Sequence, residues 1–178
     1  MAPFDQIACI SLTEDERALL IHLLAEIALA DGNVCSLEVE LFNTFATSRL
    51  DGNAEEYLRS FRHVDDDEIA RRGASQAEHL YLYCALLACG DKTMHRAEQR
   101  VLRRIARALE LDKQRCEALE AMARAHVIDQ TAQLLWRLPG EATKKAHYLA
   151  LIARQLGATP EEIDEVWRSQ GATPPSEG

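Results

Sequence analysis

Leu20-Ile21-His22-Leu23-Leu24-Ala25-Glu26-Ile27-Ala28-Leu29-Ala30-Asp31-Gly32-Asn33-Val34-Cys35-Ser36-Leu37-Glu38 decides the fold, because the chain carries the pattern twice. The second copy reads Leu80-Tyr81-Leu82-Tyr83-Cys84-Ala85-Leu86-Leu87-Ala88-Cys89-Gly90-Asp91-Lys92-Thr93-Met94-His95-Arg96-Ala97-Glu98. A shift of sixty positions aligns them without a gap, placing Leu20 on Leu80, Ala25 on Ala85, Ala28 on Ala88, Asp31 on Asp91 and Glu38 on Glu98. In each copy an apolar helix runs to an Asp where it should stop, and a Glu follows seven residues later in the first turns of the next helix.

The direction of each Glu carries the chemistry. At about 100° per residue, Glu98 lies in line with Leu102, Ile105 and Leu109, while Arg96, Arg100, Arg103, Arg104 and Arg107 take the opposite side. Glu38 lines up in the same way with Leu41, Phe42 and Phe45. Both glutamates therefore belong to a buried stripe, where an ionised carboxylate is unfavourable by several kcal/mol unless something pairs with it. Two partners are open. Each Glu can serve its own helix, favoured by the dipole and bonded to free backbone N–H groups. Alternatively, Asp31, Glu38, Asp91 and Glu98 can converge between two helix–turn–helix units related by a pseudo-twofold. Such hard oxygen donors suit Ca²⁺ or Mg²⁺, with loop carbonyls and water completing the shell.

Outward from the repeat, the chain reads as helices throughout. Residues 1–11 form a loosely held lead-in. Thr13 with Glu16 is a capping box opening the first helix, which ends near Ala30. A second helix covers about Ser36 to Arg49, and Asn53 with Glu56 starts a short third. Asp65-Asp66-Asp67-Glu68 is the acidic start of a helix ending near Gly73. Ser75 with Glu78 caps the helix that carries the second copy, and Thr93 starts the arginine-faced helix, which continues to Leu111. Asp112 caps a helix through about His126, and Asp129 begins a shorter one stopping at Pro139-Gly140. A helix from Glu141 to Leu156 follows. Thr159-Pro160-Glu161-Glu162 combines an N-cap, a first-turn proline and a capping-box Glu, and 171–178 is a frayed tail. No stretch alternates with strand period. The expectation is all-α: one compact multi-helix bundle over residues 12–170, built around two helix–turn–helix repeats.

Composition narrows the function. Residues 1–80 hold six Lys/Arg against sixteen Asp/Glu, and 81–178 hold fourteen against thirteen, so a net −9 divides into −10 and +1. A chain this acidic is not expected to bind nucleic acid. The five cysteines form no Cys-x-x-Cys, which suits buried thiols in a reducing cytoplasm. Asp5 and Glu14-Asp15-Glu16 interrupt any signal peptide, and the longest apolar run is too short to span a bilayer. No Gly-rich phosphate loop or nucleophile–base set is present, so neither an enzyme nor an organic cofactor is expected. His22 and Glu26 read as an exposed polar strip on the first helix, with an extension of the metal site as the other reading. The arginine face from Arg96 to Arg107 is either solvated surface or the dock for an acidic protein partner, an anionic membrane surface, or the acidic first half of its own chain.

The two stretches resemble those of the tellurite-resistance TerB family. The likeness rests on Ile27-Ala28-Leu29-Ala30-Asp31-Gly32-Asn33-Val34 with Glu38, and on Asp91 with Glu98 and the run Arg100-Val101-Leu102-Arg103-Arg104-Ile105-Ala106-Arg107-Ala108-Leu109. It extends over roughly Leu12 to Leu156. The second copy departs from the pattern by placing Gly90 directly before Asp91. The resemblance implies a non-enzymatic module in a stress-response system. It would bind a divalent metal through the paired acids or dock with membrane-associated partners, in the cytoplasm or peripheral to the inner membrane.

Overall fold

The computed structural model describes residues 12–30, 32, 61–90 and 92–169, and no strand occurs among them. Helix α1 (Glu14–Ala28) opens on the expected capping box: Glu16 N–H donates to the Thr13 hydroxyl at 3.2 Å, and Thr13 N–H donates to Glu16 Oε2 at 2.8 Å. Helix α2 (Asp66–Gly73) is capped by Asp65, whose Oδ1 accepts from Glu68 N–H at 2.7 Å. A 3₁₀ turn (Ala74–Gln76) leads into α3 (Ala77–Ala88), followed by α4 (Arg96–Ala108) and α5 (Lys113–Arg137). Helices α6 (Ala142–Gln155) and α7 (Pro160–Ser169) complete the described chain.

The core is organised around α3. From Leu80 to Cys89 no residue is more than 4% exposed, which is what a helix apolar on every side requires. It packs against α1, α4 and α5, with α2 closing over α1 and α4. Gly73 allows that closure: a Cβ there would stand 2.5 Å from Leu109 Cδ2 and 3.1 Å from Leu80 Cδ1. Helix α6 lies on α5, and α7 on α6.

Four boundaries differ from the sequence expectation, each for a physical reason. Ser75 does not cap α3; its hydroxyl donates to Glu16, 59 residues away, while Glu78 forks onto Arg115 of α5. Helix α4 starts at Arg96 rather than Thr93, because Glu98 accepts His95 N–H at 2.8 Å and so sets His95 as the N-cap. It ends at Ala108 rather than Leu111. There Glu110 turns left-handed (φ 56°) and the chain closes with Glu110 N–H on Arg107 O and Leu111 N–H on Ala106 O. Asp129 does not start a helix. Residues 113–137 hold neither Gly nor Pro, so α5 runs unbroken for 25 residues and Asp129 accepts from Gln133 Nε2 on its exposed side. The expected helices at 36–49 and from Asn53, the lead-in and the tail lie outside the described residues.

Candidate metal centre at the twin turns

Helices α1 and α3 run side by side in the same direction. Their starts are joined by the Ser75–Glu16 hydrogen bond, and further along Glu26 of α1 lies beside Cys84 of α3. Burial, and then the Glu26 charge, push the Cys84 thiol well above its ordinary range, so it is an inert core thiol. Because the helices are parallel, the turns that leave them emerge at the same end of the pair.

Those turns match bond for bond. Leu29 N–H donates to Ala25 O at 3.0 Å, and Cys89 N–H to Ala85 O at 3.1 Å. Ala30 donates to Ile27 at 3.0 Å and Gly90 to Leu87 at 2.8 Å; Gly32 donates to Leu29 at 3.3 Å and Lys92 to Cys89 at 3.0 Å. Each acceptor shifts by the same sixty positions. The left-handed residue also falls at equivalent places, Gly32 (φ 82°) and Lys92 (φ 67°). The Gly90 departure in the second copy therefore leaves the hydrogen bonding of that turn unchanged, and a lysine holds a conformation usually left to glycine.

Of the four expected ligands, Asp31, Glu38 and Asp91 lie outside the described residues. Glu98 lies within them, 3% exposed and on the same side of α4 as Leu102, Ile105 and Leu109. Its Oε2 serves its own helix start through His95 N–H. Glu16 plays a similar part in α1, at 5% exposure. Burial alone would disfavour its charge, but bonds from the Ser75 hydroxyl, the Thr13 N–H and the Thr13 hydroxyl outweigh this and hold the carboxyl below its ordinary range. Two buried glutamates thus share one device, an N3 carboxylate turned back onto its N-cap. Among the described residues no group of three or more His, Cys, Asp or Glu converges as a metal set.

The arginine face divides. Arg104 turns away from solvent, its side chain 17% exposed. It forks onto Glu26 at 2.6 and 2.7 Å and also donates to Asp66 and to Val64 O, each at 2.8 Å. This clamp ties α4 to α1 and to the start of α2, so Arg104 binds the acidic first half of its own chain. Glu26 is only 12% exposed and also lies 3.4 Å from His63, so it is not part of an exposed strip. His22 is half-buried too; burial and then the charges of Arg62 and Arg72 hold its pKa down. Arg96, Arg100, Arg103 and Arg107 remain exposed and form no ion pair among the described residues. At spacings of four, three and four they make one ridge.

Sequence reading missed Arg62–Glu68–Arg72, where bidentate bonds from Arg62 and a further bond from Arg72 lower the Glu68 carboxyl to about 2. It also missed Tyr81, whose hydroxyl donates to Glu120 at 2.6 Å. Each of these ties joins residues within one half of the chain, so the division of charge between the halves does not point to them.

A parallel pair of apolar helices ending in matched turns sits within an all-α bundle. The family described as Tellurite resistance protein TerB matches residues 17–121, and the chain belongs to that family. The match covers α1 to α4 and the first part of α5, leaving α6 and α7 outside it. No curated protein and no solved structure matches the chain.

Proposed function

We propose that the chain is a non-enzymatic TerB module that takes a divalent cation, Ca²⁺ or Mg²⁺, at its twin turns, with Asp31, Glu38, Asp91 and Glu98 as oxygen donors. Its setting on this reading is a stress-response system of the tellurite-resistance type, in the cytoplasm or at the periphery of a membrane-associated complex. The observation that carries the reading is the bond-for-bond match of the two turns at one end of a parallel helix pair. What supports the reading is that the described residues flanking Asp31 and Asp91 in the sequence adopt matching turns. Glu98 supports the reading as a carboxylate already withdrawn from water, an oxygen donor of the hard type such cations take.

Calorimetric titration with Ca²⁺, Mg²⁺, Mn²⁺ and Zn²⁺ tests it. Saturable heat with one of the hard cations, lost in both Asp31→Asn and Asp91→Asn, is the expected result. No heat with any of the four removes the reading. The ridge of Arg96, Arg100, Arg103 and Arg107 favours a second one, a metal-free scaffold that docks an acidic protein surface. There, Arg100→Glu with Arg103→Glu should abolish capture of the partner while leaving stability within about 0.5 kcal/mol, as for exposed positions.

A further inference from the structure

Beyond the family-matched residues, α7 is flanked by two pockets of different character. On its α5 side lies one of about 210 Å³ whose acids are answered within the protein. Glu162 meets Arg124 at 3.1 Å, Glu165 meets Arg168 at 2.6 Å, and Asp129 accepts from Gln133 at 2.8 Å. On its α6 side lies one of about 160 Å³, bordered by His147, Ala150, Leu151 and Arg154 of α6 and by buried Trp167 of α7. No acid among the described residues borders this second pocket. The pocket shares Leu151 and Arg154 with an uncovered face of α6. At about 100° per residue, Lys144, His147, Tyr148, Leu151 and Arg154 fall within about a third of the helix circumference, and all five are exposed. Tyr148 and Leu151, 43% and 46% exposed, form its apolar centre. Trp136, 41% exposed, adds to it near the start of α6, where Lys145 Nζ stands 5.1 Å from its ring. Residues 142–160 hold three Lys/Arg and no Asp or Glu, in a chain of net charge −9. Lys144 meets Glu141 at 3.2 Å, while Arg154 forms no ion pair among the described residues.

We propose that this face docks an acidic amphipathic helix of a partner protein, with one of its apolar side chains seated in the pocket against Trp167. Apolar residues three or four apart on such a helix lie along Tyr148 and Leu151, and carboxylates beside them reach Arg154 and Lys144. Charge and shape select this occupant. A second copy meeting the face symmetrically would set Arg154 and the lysines against their own equivalents. An anionic bilayer answers the charge, but a fluid plane of acyl chains makes no use of a discrete pocket. The face belongs to other helices than the twin turns and the α4 arginine ridge, and that ridge has no apolar centre.

Selection of a displayed library of helical peptides against the full chain tests the proposal. Enriched peptides should carry apolar residues three or four apart with Asp or Glu beside them, and should shift the amide resonances of residues 147–154 on titration. Leu151→Glu should weaken the best of them about tenfold or more, since it sets a like charge against the partner's acids at the apolar centre. Arg154→Gln should weaken it about fivefold through charge alone. Both side chains are exposed, so the melting temperature should stay close to that of the wild type. Arg100→Glu with Arg103→Glu should leave the affinity unchanged; lost binding there would move the site to the α4 ridge and overturn the proposal. So would a selection that returns no binder or only basic peptides, or affinity unchanged in Leu151→Glu. Vesicles of phosphatidylglycerol and phosphatidylcholine that retain the wild type but not Leu151→Glu, with no peptide enriched, would assign the face to lipid and equally overturn it.

Discussion

Lys92 shows how much of a residue's conformation is imposed from outside. A lysine at φ 67° bears a Cβ penalty that Gly32 escapes at the equivalent place. Lys92→Gly should therefore raise stability by about 0.5–1 kcal/mol in urea unfolding, despite glycine's greater freedom in the unfolded chain. Arg104 is the opposite case, fixed by partners rather than by backbone. Arg104→Met strips Glu26 of its principal counter-charge and should cost about 2–3 kcal/mol, below the full cost for a pair shut off from water. Adding Glu26→Leu should recover most of that loss, as equilibrium unfolding of the single and double variants will show. Of these features, the buried direction of Glu98 was legible, since helical periodicity places it among Leu102, Ile105 and Leu109. The Arg104 clamp was not, because its partner Glu26 is 78 residues away and no local rule selects one arginine from five.

Helix starts were legible wherever the capping chemistry had no competitor. Thr13 with Glu16, Asp65, Asp112 and Thr159 with Glu162 all cap as their sequence suggests. Ser75 and Asp129 carry the same chemistry and do not, one because Glu16 takes its hydroxyl, the other because nothing stops α5. The acids at these starts also set the response to pH. Glu16 and Glu68 both titrate lower in the folded chain than in the unfolded one, Glu68 at about 2. Their stabilising contribution is therefore full above the unfolded carboxyl pKa of about 4.3 and is lost as pH falls through the folded values. Urea midpoints should fall steadily from about pH 4.5 towards pH 2, and Glu68→Gln should make that fall shallower.

At the scale of the molecule, the all-α class was legible from helix caps and the lack of strand alternation, and the charge division between the chain halves is partly discharged by Arg104. Four arginines remain as a ridge on an acidic protein, and α5 and α7 border a pocket beyond the family match. Neither their placement nor the pocket beside α7 could be read from spacing, since both depend on how α5 to α7 pack. The divalent cation at the twin turns remains the central functional proposal, and Glu98→Gln is the substitution that isolates it. Glutamine keeps an oxygen to accept His95 N–H, so the helix start survives while the ligand charge is removed. Thermal melts of wild type and Glu98→Gln, each with chelator and with excess Ca²⁺ (or the cation that gave heat in the titrations), give the most direct measurement. A bound cation predicts nearly equal melting temperatures with chelator, and a cation-induced rise in the wild type that is lost or sharply reduced in the variant. The same rise in both proteins, or none in either, would contradict it.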